Sequence, residues 1–161
     1  MAYSYKLIAS PVGELKLVAS DKGLVAILWE NDRPGRVKLG AMAEDAAHPV
    51  LVETARQIAA YFKGELTRFD VPLDFRGTEF QKSVWAALLA IPFGETRSYA
   101  EIARAIERPT AFRAVGAANG RNPISIIAPC HRVIGTNGSL TGFAGGLKAK
   151  EMLLGIEGRR G

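Results

Sequence analysis

The sequence predicts an α/β fold of the α+β kind: an antiparallel sheet with one helix in the first half, and a mainly helical second half. Three observations carry this. Apolar residues form three short runs near the start, they change to helical spacing from Pro49, and cap and stop signals divide residues 78–120 into three short helices. The division between the halves falls near Asp74-Phe75-Arg76-Gly77, giving domains of residues 1–75 and 76–161.

Taken in order, Tyr5–Ser10, Glu14–Ala19 and Leu24–Trp29 are separated by Pro11-Val12-Gly13 and Lys22-Gly23, the spacing of a meander with tight turns. Residues 31–48 are polar, contain Pro34, Gly35 and Gly40, and read as a loop. Leu51, Ala55, Ile58, Ala59 and Phe62 then fall on one face of a helix that ends at Lys63-Gly64. Phe69–Leu73 reads as a strand or an extended connector. Thr78 caps a helix over Glu79–Ala90 with Phe80, Val84, Leu88 and Leu89 as its inward stripe, and Pro92 and Gly94 stop it. Ser98 lies three residues before Glu101, a capping box that opens a short helix through Ile106. A further helix from Ala111 to about Gly120 is built on Ala111, Ala114, Gly116, Ala117 and Ala118. Two readings fit this pair: a helix-turn-helix carrying Arg113, or small residues that let helices pack closely.

At 161 residues and 48% hydrophobic, the chain can bury one good core or two small ones that share an interface. Its one cysteine excludes an internal disulfide, and Cys130, His48 and His131 are too few for a structural zinc site, so no metal is expected. The start has no basic segment followed by a long apolar one, and no apolar run reaches about 18 residues. A soluble, reducing, cytoplasmic setting without a membrane partner is the expectation. The net charge of +5 is uneven: residues 1–80 hold 10 Lys and Arg against 11 Asp and Glu, residues 81–161 hold 11 against 5. A basic half suits a polyanion, because each neutralised phosphate releases counterions. A solvated basic face explains the same numbers.

The basic half also holds Pro129-Cys130-His131-Arg132, just after the apolar run Ile124-Ser125-Ile126-Ile127-Ala128. Free cysteines are often buried small hydrophobes. An imidazole and a guanidinium beside the thiol serve no packing purpose, whereas cationic and hydrogen-bonding neighbours favour a thiolate. Adjacent residues of a regular strand point opposite ways, so Cys130 and His131 share a site only where the chain turns or through a bridging water.

Four segments, Arg113–Pro123, Pro129–Gly135, Leu140–Leu147 and Lys150–Leu154, closely resemble the O6-alkylguanine-DNA alkyltransferase family, and the match spans residues 75–161. The resemblance implies a ribonuclease-H-like N-terminal sheet with a helix. It also implies a C-terminal domain whose winged-helix-type helix-turn-helix enters the minor groove of double-stranded DNA containing alkylated guanine. The implied reaction is a single, irreversible transfer of the alkyl group from guanine O6 to Cys130, with O4-methylthymine an open second substrate. Displacement at an sp3 carbon wants a polarisable nucleophile, His131 is the nearest base for the thiol proton, and a bridging water is the route the resemblance favours. It also implies that Glu151 orients His131 in the manner of a triad's third member.

Further roles follow from the same resemblance. Asn122 braces the turn before the active-site segment, and Tyr99 contacts the target nucleotide and donates to the guanine. Arg113 fills the gap left by the turned-out base. DNA contacts are implied for Arg113, Ala114, Tyr99, Arg121 and Arg132. The substrate pocket is implied to use the Val133 carbonyl against the exocyclic amine, the Ala144 amide against O6, and walls from Phe143 and Pro129. Phe143 departs from the family's usual tyrosine. A thioether has no good leaving group and the chain has no second cysteine, so one use per molecule is expected, without cofactor. A monomer is expected, with cooperativity on DNA open. The competing readings are a non-catalytic alkylated-DNA binding protein, a winged-helix regulator and a thiol hydrolase.

Overall fold

The computed structural model of the chain describes residues 2–138, 140 and 142–158. Thr141, part of the third matching segment, lies outside them. The three apolar runs form strands β1 (Tyr3–Ile8), β2 (Leu15–Ala19) and β3 (Leu24–Trp29), paired antiparallel as expected. The region read as a loop contributes one more strand, β4 (Met42–Glu44), parallel to β1, so the sheet order is β3-β2-β1-β4. Three residues in a polar stretch carry no alternation to read; β1's free edge makes the strand.

Helix α1 (Pro49–Phe62) is capped by the His48 side chain and lays Leu51, Ile58 and Tyr61 on the sheet face formed by Leu15, Leu17, Ala19, Leu24 and Ile27. The opposite face is a thin cluster of Val18, Val25 and Ala26 under Tyr3, Tyr5 and Met42.

Past the connector, α2 (Glu79–Leu89) and α3 (Tyr99–Ala105) both begin with complete capping boxes, Thr78 with Gln81 and Ser98 with Glu101. Helix α4 (Phe112–Gly120) has no side-chain cap, and α5 (Leu147–Ile156) closes the fold. A two-stranded parallel ladder, β5 (Arg97–Ser98) and β6 (Val133–Ile134), ties the start of α3 to the segment after Cys130. Val84, Trp85, Leu88, Ile102, Val115 and Val133 form the second core, with Cys130 among them.

The chain boundary near residue 75 is not a boundary in packing. The outer edge of β3 is paired at both ends: the Leu24 amide donates to the Pro72 carbonyl at 2.8 Å, and the Ile27 amide to the Pro123 carbonyl at 2.8 Å. Unpaired strand edges are costly in water and prone to association. Here one end takes the connector that was read as a possible strand, and the other takes the segment leading to Cys130. Ile124, Ile126, Leu153 and Ala149 consequently belong to the first core. Gly145 lies so close to Trp29 that a Cβ would sit 2.7 Å from the indole, so the loop before α5 is seated on the N-terminal sheet as well.

Candidate active site

The chain approaches Cys130 through tight turns. The Ile127 amide donates to the Ser125 carbonyl at 2.9 Å across Ile126, whose φ of 75° is strained for a β-branched residue. Asn122 holds the ends of this segment: its Nδ2 donates to the Ala128 carbonyl at 2.8 Å and its Oδ1 accepts the Ile124 amide at 3.1 Å. Arg36, from the loop after β3, is anchored by Asp32 and donates to the Asn122 carbonyl at 2.8 Å. Residues 130–132 then form a single 3-10 turn, so the chain turns where Cys130 and His131 need it to.

His131 is fully buried, and its Nε2 lies 2.7 Å from Glu157 Oε2. A carboxylate only accepts, so Nε2 carries the proton and Nδ1 presents a lone pair. Nδ1 is buried with no hydrogen-bond partner among the described residues. Burial keeps the imidazole below its usual pKa against the pull of Glu157. Burial works on Glu157 in the other direction, but hydrogen bonds from His131 and Arg132 prevail and hold its pKa at about 2. Burial raises the Cys130 thiol above its ordinary range, while hydrogen bonds from Asn122 and Ser125 and the charges of Arg36 and Lys150 draw it back. The turn thus buries a thiol held protonated and, one residue on, a neutral imidazole with an open lone pair.

Two expectations are corrected here. Glu151 does not reach His131: it is exposed on α5, and Glu157, the residue ending that helix, takes the imidazole. Lys150, Leu153, Leu154 and Glu157 share the inward side, because seven residues make two helical turns, whereas residue 151 is rotated about 100° away. The signal was present, since Glu157 continues a buried stripe where an acid needs a partner. Arg132 does not reach DNA. It is 6% exposed, donates from Nε to Glu157 Oε1 at 2.7 Å and from Nη1 to the Ile91 carbonyl at 2.6 Å. Pro129 borders a cavity of about 730 Å³ with Phe69, Ile91 and Arg132, and Phe143 and Ala144 border another.

Tyr99, Phe143 and Ala144 meet in a cleft of about 520 Å³ together with Gly116, Gly120 and Arg33. Tyr99 and Phe143 also pack against the cluster that contains Cys130. Phe143 stands edge-on to Trp29, ring centres 5.3 Å apart, and Trp29 Nε1 donates to Ser125 Oγ at 3.1 Å. An aromatic edge buried this way needs no hydroxyl. Arg113 and Ala114 are exposed on α4, with Arg113 on the same helical face as Gly116 and Gly120. Arg121 is exposed but borders a different pocket, with Arg76 and Trp85. The Val133 carbonyl accepts Lys150 Nζ at 2.7 Å, leaving one lone pair for another donor. Lys150, fully buried, had no place in the sequence reading; a lysine on the inward stripe of α5 was its signal.

Comparison with known proteins matches both halves of the chain to one family. Residues 3–75 match the family model described as 6-O-methylguanine DNA methyltransferase, ribonuclease-like domain, and residues 79–159 match its DNA binding domain. A methylated-DNA–protein-cysteine methyltransferase of Methanosarcina acetivorans is 52% identical over 155 residues, covering 96% of this chain and 97% of the relative. The chain belongs to the methylated-DNA–protein-cysteine methyltransferase family. The crystal structure of Mycobacterium tuberculosis OGT in complex with DNA superposes with a TM-score of 0.88 at 49% identity, covering 96% of this chain and 92% of that one. This methyltransferase fold thus pairs a ribonuclease-like sheet with a DNA-binding helical domain. Membership makes the chain a DNA-repair protein that takes an alkyl group onto a cysteine, and its sequence holds one.

Proposed function

We propose that this chain repairs O6-alkylguanine in duplex DNA by one irreversible transfer of the alkyl group to Cys130. The buried turn that holds both Cys130 and a neutral His131, itself bonded to Glu157, carries the reading. α4 approaches the minor groove, Arg113 fills the stack, and the turned-out base enters the cleft between Tyr99, Phe143 and Ala144. His131 Nδ1 draws the thiol proton through a bridging water. The sulfur attacks the alkyl carbon, the S–C bond forms as the C–O6 bond breaks, and guanine leaves with a proton supplied from the Tyr99 side. The thiol proton thus ends, by way of the site, on the restored base. The Val133 carbonyl and Ala144 amide fix the ring, and Ala114 and Arg121 extend the contact with DNA. Residues 1–75 support this machinery and residues 76–161 carry it, in a cytoplasmic monomer. Among the described residues no helix is long and apolar enough to cross a membrane.

Mass spectrometry after mixing with an O6-methylguanine duplex tests the reading. One methyl mass on the Cys130 peptide, stopping at one equivalent per protein, is the expected result. Turnover beyond one equivalent would overturn the single use, and transfer by Cys130→Ala would overturn the nucleophile. An intact Cys130 also separates this chain from a non-catalytic binder, and a DNA-binding domain separates it from a thiol hydrolase.

A further inference from the structure

Glu157 is addressed from the N-terminal domain as well. Tyr61, on α1, is fully buried, and its hydroxyl donates to Glu157 Oε2 at 2.5 Å. That oxygen is the one facing His131 Nε2 at 2.7 Å, and Arg132 Nη2 reaches it at 3.0 Å. The Tyr61 ring packs with Phe62, Phe69 and Phe93, work that a phenylalanine would do equally well. The hydroxyl is therefore not explained by packing.

We propose that Tyr61 is a positioning residue for alkyl transfer, its hydroxyl setting how much negative charge Glu157 presents to His131. The proposal rests on the reading of His131 as the base for Cys130. The charged and titratable groups facing His131 are Glu157 and Lys150 from the α5 segment, Arg132 from its own turn, and Tyr61 from α1 through Glu157. A carboxylate oxygen that already accepts a phenol proton attracts the imidazole proton less. Tyr61 so keeps His131 neutral, with Nδ1 open, to lower pH than Glu157 alone would allow. Burial and the adjacent Glu157 charge keep the phenol itself protonated, with its pKa raised. One hydrogen bond thereby makes the N-terminal domain part of the chemistry that α5 and the 3-10 turn perform.

The test is the single-turnover rate with free O6-benzylguanine against pH, which leaves DNA binding out of the measurement. The proteins are wild type, Tyr61→Phe, His131→Asn, and a protein with 3-fluorotyrosine placed at position 61. Removing the hydroxyl should move the acidic limb of the profile up by about one pH unit, the worth of a hydrogen bond to a charged group. The rates should converge at high pH. The more acidic fluorinated phenol should move the limb down, and it serves as the measurement if Tyr61→Phe fails to fold. An unmoved limb in both variants, with only a lower melting temperature, would overturn the proposal while leaving the relay intact. A wild-type limb in His131→Asn would overturn the relay itself.

Discussion

The two sides of the active-site turn are built on opposite principles. On the Glu157 side the polar groups are buried and, His131 Nδ1 apart, paired: Tyr61 from α1 and His131 and Arg132 from the 3-10 turn converge on one carboxylate at the end of α5. On the Tyr99 side lies an open cleft floored by Gly116 and Gly120, with Arg113 exposed on the helix beside it. Proton handling needs fixed distances and a site closed to bulk water, whereas a base and its alkyl group need room to enter. The difference predicts where substitutions damage the fold and where they damage only repair.

The largest effect should come from the paired side. Glu157→Ala leaves an imidazole, a phenol and a guanidinium buried without their acceptor, and breaking a buried ion pair from one end costs about 3–5 kcal/mol. Glu151→Ala, on the exposed face of the same helix, should stay within about 0.5 kcal/mol. Urea denaturation of the two variants checks the contrast. Similar losses in both would erase the distinction between the two acids.

That pair also marks what was legible in the sequence. The meander, α1, the cap at Thr78, the capping box at Ser98 and the small-faced α4 were all readable, because local spacing and capping determine them. The role of Glu157 was legible only in part: its place on the inward stripe of α5 is a local signal, but its partners depend on which side of α5 faces the turn and on a hydroxyl 96 residues away in sequence. Arg132 misled for the same reason. A basic residue beside the nucleophile suggests DNA until its carboxylate partner is seen. Strand β4 and the pairing of β3 with residues 72 and 123 are long-range edge effects with no local pattern.

Acid should act on the paired side in two stages. His131 is held below its ordinary pKa of 6.5, so below that pH the unfolded chain gains protons first and stability falls. Glu157 is held at about 2 rather than 4.5, so its contribution is present above pH 4.5 and is lost as pH falls toward 2. Stability measured against pH should therefore decline below about 6.5 and again below about 4.5, and His131→Asn should remove the first decline. A wild-type curve flat down to the carboxylate range would mean that His131 is not buried as the neutral form.

The open side should behave in the opposite way, with little change in stability and a change in repair alone. Arg113 is exposed on α4, so Arg113→Ala should alter unfolding by no more than about 0.5 kcal/mol. Turning a base out of the duplex costs a few kcal/mol, and a side chain that fills the vacated stack offsets part of that cost. Free O6-benzylguanine meets no such cost. Arg113→Ala should then slow transfer from an O6-methylguanine duplex at least tenfold, about 1.4 kcal/mol, and leave transfer from the free base within about twofold. Single-turnover rates on the two substrates measure this directly. Equal slowing on both would place Arg113 in the support of the cleft, and the separation between a rigid proton side and an open substrate side would fail where α4 meets it.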